Sequence, residues 1–254
     1  MFTKAIVKTP CRAMVNGITT ANLGKPDYDL ALAQHQDYIK TLERCGLEVT
    51  VLPADEGFPD STFVEDAALI TPLCAVITNP GALSRRDEII AIREAVRRYY
   101  PGLEQIESPG TLDAGDVMMV GKHFYIGLSK RTNLEGARQL IAILERYGMT
   151  GSTVSLETVL HLKTGVTYLE NNTILAIDEF KTKDEFRQFR ILEVDEAEEG
   201  YAANSVWVNG YVITPQGFPK TLAQIKAAGY EVIEVDVSEF RKLDGGLSCL
   251  SLRF

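Results

Sequence analysis

Three segments of the chain carry the same local pattern, in which the end of a helix is followed by a glycine and then by a strand. The segments are Leu42–Leu52, Leu144–Val154 and Ile225–Val235. A glycine directly after a helical pattern is typical of a helix C-cap, where the backbone takes a positive φ. A helical pattern precedes each glycine, and a short apolar strand precedes each helix. The pattern therefore predicts strand–helix–strand units.

Two further copies extend this pattern over the whole chain. One has a strand that begins at Ala75 and a helix from about Ser84 to Tyr100, and the other has a strand over Asn172–Ile177 and a polar helix near Lys183–Phe189. Five units of roughly 50 residues leave no linker, and repeats of this length are typical of propeller-like architectures. We expect one α/β domain over residues 1–254, in which loops at the inner ends of the strands converge on an axis.

Charge and composition exclude several classes of function. A net charge of −9 argues against a nucleic-acid partner and is compatible with a small cationic ligand. No apolar run approaches the roughly 20 residues of a membrane span, and the first residues lack the apolar core of a signal peptide. The four cysteines have neither metal-type nor disulfide-type spacing, which predicts reduced thiols in the cytoplasm.

An acidic cluster lies directly before the apolar run that starts at Ala67. Asp60, Glu65 and Asp66 place three carboxylates within seven residues, beside the aromatic Phe63. Such acids at the mouth of a strand are either solvated or part of a binding site. An aromatic ring next to paired carboxylates suits a flat, partly apolar cation.

Cys249 and His161 are the candidates for nucleophilic chemistry. Cys249 follows a Gly–Gly pair, at which the backbone can turn sharply. His161 follows an apolar run and is either a core residue or a functional one, whereas His35 and His123 have the surroundings of surface residues. A cysteine and a distant histidine can form a nucleophile–base pair, because the two need to be adjacent only in space.

Arg85 and Arg131 occupy equivalent places in two repeats, at the start of a helix. Basic residues are unusual there because the N-terminus of a helix favours negative charge. They are either surface residues or partners for a bound anion such as a carboxylate. Acids for a guanidinium together with arginines for a carboxylate describe a zwitterionic, arginine-like ligand.

Five short motifs follow one another in the order and spacing of a known enzyme family. They are Phe63–Asp66, Leu112–Asp116, Gly127–Asn133, His161–Lys163 and Asp244–Cys249. With these motifs the chain resembles, from end to end, the dimethylarginine dimethylaminohydrolase family of the pentein superfamily. The resemblance implies a five-bladed α/β propeller. It also implies hydrolysis of Nω-methylated arginines to citrulline and methylamine or dimethylamine, through a covalent thiouronium on cysteine and without a metal or cofactor.

The resemblance further implies roles for individual residues. Cys249 matches the nucleophile, His161 the general acid and base, and Asp113 the third catalytic acid. The remaining matches are to groups that bind substrate: Asp60, Phe63, Glu65 and Asp66 around the guanidinium and its neighbouring groups, Arg85 and Arg131 on the α-carboxylate, the backbone of Ile18 in a lid over Met14–Ile18, and the carbonyl of Leu243.

Several alternatives stay open at this stage. Arginine deiminase, another guanidine hydrolase and an amidinotransferase use related chemistry on the same fold, although arginine deiminases resemble a pentein core with an added helical domain that is not visible here. A non-enzymatic pentein binding protein is a different class, and this chain keeps the cysteine, histidine and acid that such proteins lack. We expect a small-molecule partner, neither nucleic acid nor membrane, and exposed propeller edges would allow a homodimer.

Overall fold

Fifteen strands form five three-stranded sheets of the same design in this computed structural model, which describes residues 1–254. The strands are β1 (Lys4–Lys8), β2 (Glu48–Leu52), β3 (Ala68–Ile70), β4 (Ala75–Ile77), β5 (Leu103–Gln105), β6 (Val117–Val120), β7 (His123–Leu128), β8 (Thr150–Ser155), β9 (Val166–Tyr168), β10 (Thr173–Ala176), β11 (Arg190–Glu193), β12 (Val206–Val208), β13 (Tyr211–Pro215), β14 (Glu231–Val235) and β15 (Leu252–Arg253). Their order in the five sheets is β15-β1-β2, β3-β4-β5, β6-β7-β8, β9-β10-β11 and β12-β13-β14. The middle strand of every sheet is antiparallel to its first neighbour and parallel to its second.

Helices connect the parallel strands and the sheets. They are α1 (Tyr28–Arg44), α2 (Ile89–Arg97), α3 (Leu134–Arg146), α4 (Leu162–Gly165), α5 (Asp178–Lys181), α6 (Glu196–Glu199), α7 (Pro219–Ala227) and α8 (Ser238–Arg241). Parallel neighbours need a crossover, and α1, α2, α3, α5 and α7 supply it, one in each sheet. We call a sheet with its crossover helix a blade and number the blades from the one that contains β1.

The predicted strand–helix–strand unit is confirmed as part of each blade, with one helix placed wrongly. Gly46, Gly148 and Gly229 end α1, α3 and α7 with φ of +90°, +69° and +95°, as a C-cap glycine requires. In the fourth blade the crossover helix is α5, while residues 184–186 form only a 3₁₀ turn, so the polar helix predicted near Lys183–Phe189 is wrong.

The first strand of each blade lines a central axis and closes the ring. Neighbouring first strands contact one another, as β15 does with β3 and β9 with both β6 and β12, and all five contribute to one axial cavity. The ring closes because β15 pairs with β1, with Ala5 opposite Arg253 and Ile6 opposite Leu252. The five-bladed α/β propeller is thereby confirmed. No helix of the protein is both long enough and apolar enough to pass through a membrane.

His35 is buried, although the sequence indicated a surface position. His35 is 2% exposed on the inner face of α1, its ring lies 6.4 Å from that of Phe240, and its Nε2 has no hydrogen-bond partner. His123, by contrast, is partly exposed at the start of β7, where it bonds Thr150. The prediction that His35 is a surface residue was wrong because its polar neighbours Gln34 and Gln36 masked the apolar side of the helix.

The buried His35 is expected to make the fold sensitive to acid. Burial lowers the pKa of His35 to about 4, below the ordinary value near 6.5 that it regains on unfolding. Between these two pKa values His35 is protonated in the unfolded chain and neutral in the folded one, so the free energy of unfolding falls as the pH drops from about 6.5 towards 4. We expect this one group to remove about 2–3 kcal/mol of unfolding free energy by pH 4.5.

Urea denaturation of the wild type and of His35→Gln at pH 7 and pH 4.5 measures this effect. The loss of stability between the two pH values should be smaller in His35→Gln by that amount. An equal loss in both proteins would show that His35 does not cause the acid sensitivity.

Candidate active site

A short helical turn precedes the first strand of every blade, and these turns meet on the propeller axis. They are Val64–Ala67 before β3, Ala114–Asp116 before β6, α4 before β9, Gly200–Ala203 before β12 and Ser248–Leu250 before β15. The turn of blade 2 contacts those of blades 1 and 3, and α4 contacts those of blades 3 and 5. The fold thereby collects side chains from five distant segments at one end of the axis.

Cys249 lies on the last of these turns. It is the one partly exposed cysteine, since the other three are buried, and its Sγ accepts a hydrogen bond from the backbone N–H of Gly246 at 3.4 Å. Burial first, and then the charges of Glu65 and Asp66, raise the pKa of Cys249 to about 12. The thiol is therefore protonated in the ligand-free protein.

The Gly–Gly pair before Cys249 serves close packing and not a sharp turn. A Cβ on Gly245 would lie 2.1 Å from the ring of Phe63, and one on Gly246 would lie 2.5 Å from the side chain of Asn204. The residue with positive φ is Asp244, at 57°. The chain does turn at this place, as predicted. The positive φ is at Asp244, however, one residue before the glycines, and the two glycines are required because larger residues would clash with Phe63 and Asn204.

His161 faces a carboxylate inside the site. Its Nε2 lies 3.0 Å from Oδ2 of Asp113, and both residues are buried. Burial alone would lower the pKa of His161, but the charge of Asp66 and the hydrogen bond with Asp113 raise it to about 9. The backbone N–H of Gly81 donates to the other oxygen of Asp113 at 2.8 Å, so the pair is held from both ends.

Asp66 is kept ionised at the centre of the cluster. Burial would raise its pKa, but the charges of His161 and Arg85 and the hydrogen bond from Gly115 hold the pKa at about 2. The N–H of Gly115 lies 3.1 Å from Oδ1 of Asp66, and a Cβ on Gly115 would lie 2.8 Å from that same oxygen. Only glycine allows this approach of backbone to carboxylate.

Both predicted arginines reach the site, and both already contact acids. Arg85 is buried and bonds Asp66 at 2.5 Å and Glu88 at 2.9 Å. Arg131 is half-buried, and its Nη1 lies 3.5 Å from Oδ2 of Asp113. The alternative that these two arginines are ordinary surface residues is therefore excluded. Arg131 has only this one long ion pair and so remains the more available for a ligand.

The predicted substrate-binding residues except Glu65 line one cavity, which we call cavity I. Its wall includes Ile18, Asp60, Phe63, Asp66, Arg85, Arg131 and Leu243, and it reaches Cys249 and His161. The N–H of Ile18 donates to Asp60 at 2.9 Å, which fixes the loop over Met14–Ile18 against the cavity. The sequence motifs thus bring together the residues that they indicated.

Glu65 lies apart from the other acids of its motif. Its carboxylate accepts bonds from Lys163 at 2.5 Å and Ser248 at 2.7 Å, and it does not line cavity I. It lines a second cavity, cavity II, which also reaches Cys249 and His161. Neighbouring residues of one motif therefore serve two different spaces.

Sequence reasoning missed two residues that hold the site together. Asp116 accepts the N–H of Leu162 at 2.9 Å and the hydroxyl of Ser129 at 2.7 Å, so it anchors the turn that carries His161. Asp244 accepts both the N–H and the hydroxyl of Thr20, and so ties the lid loop to the turn of Cys249. Each lies inside one of the five sequence motifs, but the sequence does not indicate which distant residue it bonds.

One trio of site residues could hold a cation. Ligand atoms of Asp66, Asp113 and His161 lie within 4.8 Å of one another, and all three residues are buried. A metal ion there would have to compete with the bonds of Arg85 and of the His161–Asp113 pair. The absence of a metal from the chemistry stays a prediction.

Relatives match this chain along its whole length. It is 60% identical over 255 residues to the N(G),N(G)-dimethylarginine dimethylaminohydrolase of Pseudomonas aeruginosa, with 100% of both chains covered. The chain belongs to the dimethylarginine dimethylaminohydrolase family. A second member of the family, from Streptomyces coelicolor, is 39% identical over 98% of this chain and 96% of its own.

Solved structures agree with this family assignment. A cysteine-to-serine mutant of the dimethylarginine dimethylaminohydrolase of Pseudomonas aeruginosa, in complex with citrulline, matches with a TM-score of 0.98 and 59% identity over both whole chains. The N-terminal domain of a cyanobacterial arginine dihydrolase matches with a TM-score of 0.89 at 20% identity, covering 100% of this chain and 97% of that one, and shows the fold alone. The model of the arginine deiminase family matches residues 94–212.

Proposed function

We propose that this chain hydrolyses Nω-methylated arginines to citrulline and methylamine or dimethylamine through a covalent intermediate on Cys249. The convergence of Cys249, His161, Asp66 and Asp113 on one cavity carries the proposal. Membership of the family supports it, as do a relative bound to citrulline and the adduct of a related dimethylarginine dimethylaminohydrolase with S-methyl-L-thiocitrulline.

Substrate binding supplies the charge that the resting site lacks. Without a ligand, Cys249 is a thiol with a pKa near 12, because burial and the charges of Glu65 and Asp66 oppose the thiolate. A guanidinium held by Asp66 would place a positive charge beside the sulfur and lower the pKa of the thiol, whose proton passes to solvent because His161 already carries one. The backbone N–H of Gly246 already points at the sulfur and would stabilise the thiolate further.

The first half of the reaction exchanges nitrogen for sulfur. The Cys249 thiolate attacks the guanidinium carbon, a C–S bond forms, and the π electrons move onto a nitrogen. His161, protonated at neutral pH because its pKa is about 9, gives its proton to the methylated nitrogen. The C–N bond breaks, the neutral amine leaves, and a thiouronium cation remains on the sulfur. Positioning contributes most, since effective molarities correspond to roughly 7–11 kcal/mol at best.

The second half exchanges sulfur for oxygen. Neutral His161 takes one proton from water as the oxygen bonds to the thiouronium carbon. The C–S bond then breaks, the sulfur leaves as thiolate, and the remaining hydroxyl proton passes to solvent, where the released amine takes one up. Proton transfer of this kind contributes about 10²–10⁴-fold. Asp113 holds the His161 ring in place through both halves.

Arg131 is expected to bind the substrate carboxylate. Arg131→Ala should lower kcat/KM for a methylated arginine by about 10–100-fold more than for the matching methylated agmatine, because agmatine has no carboxylate to lose. Arg131 also lies 3.5 Å from Asp113, so the ratio between the two substrates is the decisive quantity. Steady-state kinetics of both substrates with both proteins measures it.

Arg86→Ala provides the matched control, since Arg86 bonds the carbonyl of Pro80 and lies outside cavity I. Its substrate ratio should equal that of the wild type. Equal losses for both substrates in Arg131→Ala would show that Arg131 does not hold the carboxylate. Arg85→Ala is less suitable, because it leaves Asp66 and Glu88 buried without their partner, at a cost of about 3–5 kcal/mol.

Arginine itself is the second candidate substrate, since the arginine deiminase family model matches residues 94–212. Incubation of the protein with dimethylarginine, monomethylarginine and arginine, followed by colorimetric detection of citrulline, decides between them. Citrulline from the methylated substrates at higher kcat/KM supports our proposal. Citrulline from arginine alone would replace it with a deiminase.

We also propose that residues 1–254 form one catalytic domain that acts in the cytoplasm on arginine-derived metabolites, and that it forms a homodimer. The closed ring of five blades supports the single domain. The reduced cysteines support the cytoplasm. The partly exposed outer strands, such as β2 and β14, support the homodimer.

A further inference from the structure

Two cavities meet at the nucleophile. Cavity I and cavity II share Cys249, His161 and Asp244. Cavity I holds the lid, Asp60 and both arginines, whereas cavity II extends towards blade 5 and is lined by Thr164, Tyr201 and Asn204 among others. The sulfur and the imidazole therefore each face two separate spaces.

The charges of the two cavities differ in a way that assigns the amino-acid end of the substrate to cavity I. Arg131 and Asp60 of cavity I complement a carboxylate and an ammonium group. Cavity II has no arginine, and its one lysine, Lys163, is already paired with Glu65 at 2.5 Å, a carboxylate that also accepts the Ser248 hydroxyl at 2.7 Å. Cavity II thus offers a small polar space with no unpaired basic side chain for the substrate carboxylate.

The reaction needs such a space. The nitrogen that leaves the guanidinium carbon and the water that replaces it must both lie near Cys249 and must both exchange a proton with His161. We infer that cavity II receives the methylated nitrogen, releases it as the neutral amine and then admits the attacking water. This inference rests on the proposed function, and it makes the dimensions of cavity II the determinant of how many methyl groups the enzyme accepts.

Thr164 is the wall residue best placed to set these dimensions. Its N–H donates to the carbonyl of His161 at 3.0 Å, so its position relative to the imidazole is fixed. Thr164 lines cavity II and not cavity I. Tyr201 and Asn204 are less suitable for a test, because they bond the carbonyl of Gly245 and the hydroxyl of Ser248 and so support the turn of the nucleophile.

Filling cavity II at Thr164 should therefore discriminate between substrates by their methyl groups. Thr164→Leu is expected to lower the ratio of kcat/KM for asymmetric dimethylarginine over that for arginine by about 10-fold or more, since one misplaced methylene changes such ratios by roughly 10–200-fold. Thr164→Ala widens the same space and should leave the ratio unchanged or raise it. Kinetics with the two substrates, together with thermal unfolding of each variant, provide the measurement.

Leu160→Phe is the matched control, because Leu160 lines cavity I only. It should change kcat/KM by the same factor for both substrates. A ratio within about twofold of the wild type in folded Thr164→Leu, or an equal shift in Leu160→Phe, would overturn the inference. If Thr164→Leu does not fold, a fall of the ratio in Thr164→Ala overturns it instead. A wild-type protein that forms no citrulline from dimethylarginine would overturn the proposed function as well, which separates the two failures.

Discussion

Cys249→Ser is expected to lower citrulline formation by about 10⁴-fold or more while the fold is retained. The serine hydroxyl is not ionised at neutral pH, and even a neighbouring guanidinium cannot make it the nucleophile that a thiolate is. The replacement is nearly isosteric, and the N–H of Gly246 that bonds the sulfur can bond the serine oxygen. Citrulline release and thermal unfolding of the two proteins, measured side by side, check both halves of this expectation.

Cys74→Ser serves as the comparison. Cys74 is a buried thiol of blade 2 that accepts a bond from Thr71, so its variant tests the loss of a thiol away from the site. It should keep wild-type turnover. Turnover in Cys249→Ser comparable to that of Cys74→Ser would remove Cys249 from the role of nucleophile.

His161→Ala is expected to block hydrolysis and to trap any covalent adduct that still forms. The variant has no group to protonate the leaving amine or to take a proton from water, and these transfers contribute about 10²–10⁴-fold each. Any thiouronium that still forms should persist, because the variant has no base to activate the attacking water. Intact-protein mass spectrometry after incubation with substrate should detect the added mass of the amidino fragment with its amino-acid chain, and digestion should place it on Cys249.

His123→Ala is the matched control, since His123 bonds Thr150 and Ser152 on an outer part of blade 3. It should turn over normally and carry no added mass. Wild-type rates in His161→Ala would exclude it as the acid and base. An adduct on another residue would contradict the assignment of the nucleophile.

The parts of the fold that the sequence predicted are those with a local signal. Gly46, Gly148 and Gly229 end helices in the same way because a positive φ favours glycine wherever it occurs, and this revealed the repeats. The first strands were missed as members of the repeat because they are only two to four residues long and are buried against their neighbours. The helix after β10 was misplaced because its crossover is a single turn.

The site shows the same division. Cys249, His161 and the acids could be named from motifs, but their partners come from other blades. The bond of Ser248 to Glu65 and that of Asp244 to Thr20 join residues far apart in the chain, and nothing local announces them. The pKa of His161 likewise follows from Asp66 and Asp113, which only the closed ring brings near.

The pairing of β1 with β15 makes the order of the blades independent of where the chain starts. The carbonyl of Phe254 accepts the N–H groups of Thr3 and Lys4, so a short linker could join these two positions without moving either strand. A circularly permuted chain opened at the exposed hairpin of Gly121 and Lys122 would then have the same neighbours around Cys249, although the cysteine would lie near the middle of the sequence. The chemistry requires a particular cyclic order of the turns around the axis, and chains that start at different points of the ring have the same cyclic order.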